Sequence, residues 1–186
     1  MDAPAHAPDP DAEAERLRRA RRGDGAAFEA LYHDHARAVH ALAFRLTGNA
    51  AEAEDIVQET FLRMFGFLSG LRENTPLRPW LKRVAANLAI DRLRRQQHPG
   101  TDMALAALAD TASASPADAA DADTLLRRLP PLARTVVWLH EMEGWSHEDL
   151  GRRFGRTASW SKSLMSRSLA RLRQDLDPHG DAPHDA

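Results

Sequence analysis

The chain has 186 residues, 43% of them apolar, with 25 Lys+Arg against 27 Asp+Glu for a net charge of −2. That length suits one ordinary domain or two small ones, and no apolar run approaches the roughly 20 residues of a membrane-spanning helix. Cysteine is absent, which excludes disulfides, thiolate zinc sites and cysteine nucleophiles together.

The pattern in chain order is helical throughout; nothing alternates with period two. Residues 1–20 carry 3 basic and 5 acidic groups. They lack the basic, apolar and small-residue order of a secretory leader, so a disordered tail on a cytoplasmic protein is expected. Asp24 is placed to cap a helix bearing Phe28, Leu31, Val39, Leu42 and Leu46, ended by Gly48. Asn49 caps the next, where Ile56, Val57, Phe61, Met64, Phe65 and Leu68 recur at helical spacing. After the loop GLRENTP, Pro79 suits the first turn of a third helix with Leu81, Val84, Leu88 and Leu93 as its buried stripe. These three helices are expected to close one domain over residues 21–95, which hold 12 basic and 9 acidic groups. Residues 96–124 contain five acids, no base and no aromatic, the composition of an acidic, flexible linker.

A second helical domain is expected over 125–176, with 10 basic and 5 acidic groups. Pro130-Pro131 starts a helix with Val136, Val137 and Leu139, and Gly144 ends it. Ser146 and Asp149 have the spacing of a capping box for the short helix HEDLGRRF; Gly155 makes a turn, and Ala158 to Leu176 form the last helix. The acidic tail 177–186 is expected to be disordered. The fold class is therefore all-α: two small helical domains joined by a flexible linker, the C-terminal one a helix-turn-helix.

Charge is concentrated within both domains. Arg78 to Arg95 holds six bases and one acid, and Arg152 to Arg173 holds seven bases and no acid. A solvated helix face would intersperse glutamates to pair with arginine at i,i+4, so an unbroken basic stretch points to a polyanion, with a merely solvated surface as the alternative. A helix-turn-helix places its second helix in the major groove of DNA, and here that helix lies in the basic stretch.

Three motifs together resemble a known family. DIVQETFLRMF (55–65), RPWLKRVAANLAIDRLRR (78–95) and LPPLARTVVWLHEMEGWSHEDLGRRFG (129–155) resemble, in order and spacing, the extracytoplasmic-function sigma factors, the smallest class of bacterial RNA polymerase sigma subunits. The resemblance covers about residues 24–95 and 125–173. It implies an N-terminal domain that binds core polymerase and opens the promoter −10 element, and a C-terminal domain that reads the −35 element. It implies no cofactor, no metal and no catalytic residue. The implied partners are the clamp helices of the largest polymerase subunit, promoter DNA and an anti-sigma factor, with no membrane insertion.

The resemblance also carries residues. Asp55, Gln58, Glu59 and Phe61 match the clamp-binding helix, and the three polar ones sit at i, i+3 and i+4 on one face. Asn74 and Thr75 lie in the segment that cradles a flipped base, where ordinary turn chemistry is the alternative. Arg83, Asn87, Arg92, Arg94 and Arg95 match the −10 helix, where an unpaired base needs polar contacts and cations. Trp80 is read first as core packing and second as a base-stacking surface. This chain departs from the family in having Glu73 and Leu77 where a small residue and Phe are usual, and Pro79 for a common Thr. Arg156, Ser159, Trp160, Lys162, Ser163, Arg167 and Arg171 fall on the implied −35 reader.

That last helix departs further. Its inward stripe is expected to be Ser161, Met165, Ser168 and Leu172, with Trp160 and Leu164 turned outward. Three readings stay open for these two: contact with thymine methyls, an apolar patch for a protein partner, or a rotated helix with Trp160 in the core. The linker either tethers the domains or, through acids such as Asp118, Asp121 and Asp123, mimics a nucleic-acid strand.

Other classes of function are weighed on the same residues. A stand-alone helix-turn-helix regulator would not need the −10-like domain, and an adaptor that sequesters an anti-sigma factor would share the fold without transcription activity. An enzyme would draw on His33 and His35, or on His140 with Glu141 and Glu143. Residues at i,i+2 face different sides of a helix, however, and no HExxH pair is present.

Overall fold

A computed structural model describes residues 10–72, 75–96 and 122–176. Among them the chain is helical: α1 Pro10–Arg21, α2 Gly25–Thr47, α3 Ala50–Phe67, a 3-10 turn Leu68–Gly70, α4 Leu77–Gln96, α5 Ala122–Arg127, α6 Pro131–Glu141, α7 His147–Phe154 and α8 Ala158–Leu176. It divides into two compact units. Among the described residues, the first takes 10–44, 49–72 and 75–88, and the second takes 45–48, 89–96 and 122–176. This grouping differs from the expected boundaries at 95 and 125, since the last turn of α2 and the second half of α4 belong with the C-terminal helices.

In the first unit the helix starts follow from local chemistry. Asp24 accepts the Ala27 backbone N–H at 3.1 Å, and this bond, with the Arg19 guanidinium, lowers its carboxyl below the usual value. Asn49 accepts the Glu52 N–H at 3.2 Å at the head of α3. Between them Gly48 takes a φ of +74°, a left-handed turn in which glycine carries no Cβ penalty. The core joins Leu31, Val39 and Leu42 of α2 to Ile56, Val57, Phe61 and Met64 of α3, and to Leu77, Leu81, Ala85 and Leu88 of α4. Val84, expected in that stripe, is only half-buried, whereas Ala85, Ala86 and Ala89 are buried.

The N-terminal segment corrects the expectation of a disordered tail over 1–20. Residues 10–21 form α1, with Leu17 and Ala20 buried. Polar side chains tie it down. Arg16 pairs with Asp34 on α2, and Glu13 reaches both His35 and the start of α4. Residues 1–9 lie outside the described residues.

In the second unit α7 and α6 both pack on α8. Ser146 accepts the Asp149 N–H at 3.0 Å and donates its hydroxyl to the Asp149 carboxylate at 2.8 Å. Gly155 ends α7 with a φ of +67°. Gly151 is required by proximity: a Cβ there would stand 2.6 Å from the Thr157 carbonyl carbon. α5 begins at Ala122, inside the stretch expected to be linker. Its Asp123 holds Arg127 at 2.8 Å and Arg45 at 2.9 Å. The last turn of α2 joins this unit through Thr135, whose hydroxyl donates to the Leu46 carbonyl at 3.2 Å, and through Arg45, whose guanidinium lies 4.8 Å from the Trp138 ring centroid. Residues 97–121, including Asp118 and Asp121, and the tail from 177 lie outside the described residues.

Candidate functional site

Three helical surfaces carry the residues singled out from the sequence. On α3, a rotation of 100° per residue puts Asp55, Gln58, Glu59, Leu62 and Phe65 within one third of the circumference. Asp55 and Gln58 are exposed, and Glu59 is half-buried and paired with Arg63 at 2.9 Å. Phe61, which the resemblance also assigns to core binding, lies beside this face and is buried at 4% exposure, with its ring 4.7 Å from that of Tyr32. The apolar residues on the face are two the sequence reading did not single out for it. Leu62 is 59% exposed and Phe65 is 64% exposed, the Phe65 ring resting edge-on against Phe28 at 5.4 Å. Helical rotation alone already sets Phe61 about 40° outside this arc and Phe65 on its edge, a distinction hidden when both are grouped in one apolar stripe.

The second surface belongs to α4 and the residues before it. Asn74 lies outside the described residues. Thr75 is half-buried, with its backbone N–H donating to the Arg72 carbonyl at 3.1 Å. Arg83 is exposed and Asn87 half-buried, one turn apart on the same side of the helix. The Asn87 Oδ1 is buried and has no hydrogen-bond partner, while the residue as a whole is partly open to solvent. Trp80 is half-buried and stacks on Phe67, rings 3° from parallel at 6.2 Å. Further along α4, Arg94 and Arg95 are exposed and Arg92 half-buried. The Arg94 guanidinium donates to the Arg153 carbonyl at 3.2 Å, and Asp91 lies 3.7 Å from Arg153.

The third surface is α8. Its inward stripe is Ser161, Leu164, Met165, Ser168 and Leu172. Leu164 therefore corrects the expectation that it faces outward: it is 2% exposed, lying one turn after Ser161 and one turn before Ser168, inside the same stripe. The serines in this core are satisfied. Ser168 donates to the Leu164 carbonyl at 2.8 Å, and Ser161 Oγ lies 3.1 Å from His147 Nδ1. Trp160 is half-buried, its ring 5.4 Å from Phe154. Thr157, not singled out from sequence, caps α8 by accepting the Trp160 N–H at 3.1 Å. Arg156, Ser159, Lys162, Ser163 and Arg167 are exposed and Arg171 half-buried. Ser166 is exposed between Lys162 and Arg167 on this side and completes it.

The two histidines of the second unit beside α7 serve packing. His140 and His147 stack at 4.1 Å, and His140 Nδ1 meets the Trp145 carbonyl at 2.8 Å. Burial, then the nearby His140 and Lys162 charges, lower His147 below its ordinary value. Among the described residues, no group of three or more His, Cys, Asp or Glu is placed to hold a metal ion, and no helix is long and apolar enough to cross a membrane.

Two family models match the chain in order: Sigma-70 region 2 over residues 31–98 and Sigma-70, region 4 over residues 120–172. The RNA polymerase sigma factor CarQ of Myxococcus xanthus is 36% identical over 168 residues, 86% of this chain and 95% of that protein. The ECF RNA polymerase sigma factor SigM of Mycobacterium tuberculosis is 33% identical over 152 residues, covering 81% of this chain and 77% of that protein. Among solved structures, CnrH in complex with the cytosolic domain of CnrY aligns with a TM-score of 0.50 at 23% identity, over 91% of this chain and all of that one, a likeness of fold.

Proposed function

The chain belongs to the extracytoplasmic-function sigma factors of RNA polymerase, and from that premise we propose how its surfaces divide the work. The α3 face docks on the polymerase clamp, α4 and Thr75 engage the opened −10 strand, and the outward side of α8 reads the −35 duplex. The observation that carries this reading is the outward side of α8. From Arg152 to Arg173 there are seven bases and no acid, and Ser159, Lys162, Ser163, Ser166 and Arg167 all stand exposed on the second helix of a helix-turn-helix.

The division is physical. A duplex is read by short polar side chains on base edges with cations on phosphates, which Ser159, Ser163, Lys162 and Arg167 supply. An opened strand needs acceptors and donors for exposed base edges, which Asn87, Thr75 and Arg83 supply. The docking face pairs Asp55 and Gln58 with Leu62 and Phe65, an apolar centre beside charge, as a specific interface requires. The binding energy so gathered opens DNA, and the phosphodiester chemistry belongs to the polymerase. The protein is thus a non-catalytic, cytoplasmic subunit needing no cofactor. CnrH, whose fold this chain shares, is held by the cytosolic domain of CnrY, and a protein regulator of the anti-sigma class is part of the same proposal.

The test is binding of fluorescent promoter duplex by the full chain with and without purified core polymerase. The proposal requires tight, sequence-selective binding only when core is present. Equally selective binding by the free chain would favour a stand-alone regulator.

A further inference from the structure

We propose that α1 braces the −10 reader, with Glu13 and Arg21 as positioning residues for Thr75 and α4; this rests on the assignment of those residues to the opened strand. The connection from the 3-10 turn to α4 is gripped at both shoulders by this one helix. At the near shoulder, the Arg21 guanidinium donates from Nε to the Leu68 carbonyl at 3.0 Å and from Nη2 to the Leu71 carbonyl. At the far shoulder, Glu13 Oε1 accepts the Leu77 backbone N–H at 3.2 Å. Leu77 is the first residue of α4, where backbone N–H groups have no partner inside the helix and a carboxylate is favoured.

The grips are stiff for two reasons. Glu13 and Arg21 are eight residues apart on one helix, so they stand about 12 Å apart along its axis, a span that a helix cannot readily shorten. Glu13 is itself held, its Oε2 lying 2.9 Å from Nε2 of His35, which is buried at 0% exposure. Leu17 and Ala20 on the same helix are buried in the core. α1 therefore fixes the separation of Leu71 and Leu77, and with it the position of Thr75, two residues before Leu77. It also sets where α4 starts, which determines where Arg83 and Asn87 meet a base. Neither Glu13 nor Arg21 touches DNA in this account.

The test measures, with the full chain in complex with core polymerase, affinity for single-stranded −10 oligonucleotides carrying the favoured or a substituted base. A mismatch in such a site costs roughly ten-fold or more in affinity. Arg21→Ala and Glu13→Ala should shrink that ratio to about two- to three-fold while leaving core affinity and −35 duplex binding unchanged. Glu13→Gln, which retains an acceptor for the Leu77 N–H, should keep most of the ratio. If Glu13→Ala fails to fold because His35 loses its carboxylate, Arg21→Ala decides, since it leaves that pair intact. A wild-type ratio in Arg21→Ala overturns the brace. So does an equal loss of affinity for every oligonucleotide and for core, which marks a merely structural role. If the wild-type complex shows no base preference at all, the assignment of Thr75 and α4 fails instead, and the brace falls with it.

Discussion

Phe65→Ala separates docking from folding on α3. A phenylalanine buries roughly 150–250 Å² when fully covered; taking roughly 200 Å², the 64% exposure of Phe65 leaves about 130 Å² available to a partner. At about 25 cal/mol per Å², covering it contributes about 3 kcal/mol, an upper figure because no interface covers a ring completely. With half that realised, core affinity should fall about ten-fold, and with all of it about a hundred-fold. Stability should change little, because only the edge contact with Phe28 is lost, a pair worth about 0.5–1.5 kcal/mol. Phe61→Ala is the converse control. Its ring is buried, so it should cost about 3–5 kcal/mol of stability. Competition of unlabelled variants against labelled wild type for core polymerase, read by anisotropy and paired with thermal melting, gives both quantities. Wild-type core affinity in Phe65→Ala would refute the assignment of this face.

Further outcomes follow from single contacts. Gly151→Ala forces a Cβ against the Thr157 backbone and should cost about 1–3 kcal/mol in thermal melting, as overpacking does; an unchanged melting temperature would show that α7 and α8 can part without cost. Lys162→Ala should lower the salt-dependence slope of −35 duplex binding by about 1, the signature of one lost phosphate contact; an unchanged slope would move Lys162 off the DNA. His35 and His147 both titrate below 6.5 when folded, burial being the largest cause in each. The unfolded chain takes up those protons near pH 6.5 and the folded one does not. The stability they contribute is thus complete above that pH and declines as pH falls below it. Denaturant melts from pH 7.5 to 5 should show the decline, and His35→Gln should flatten it; identical pH curves for the two proteins would contradict the burial argument.

Elements with local punctuation were the ones legible in the sequence. Ser146, Asp149 and Gly155 bound α7 at the expected residues, and Pro130-Pro131 set the start of α6 at Pro131. α1 escaped because Leu17 is the sole large apolar side chain in PDAEAERLRRAR, and what orders it are polar bonds to residues 18 to 64 positions away. No local pattern encodes such partners. Leu164 was misplaced by grouping it with Trp160, although its position one turn from both Ser161 and Ser168 lies within the inward arc. The α3 face proposed for docking is only partly legible. Its acids were visible at i, i+3 and i+4, but an outward Phe65 and an inward Phe61 obey the same apolar spacing. The 100° rotation separates them by about 40°, and the fold bears the difference out, with Phe61 buried and its ring 4.7 Å from that of Tyr32.

Transcription from a randomised promoter library by purified core polymerase plus the full chain tests the central claim most directly. The account predicts transcripts that depend on the chain and arise from promoters sharing two short elements at a fixed spacing, with Phe65→Ala lowering yield from all of them. Transcripts that are the same without the chain, or that share no upstream element, would contradict it.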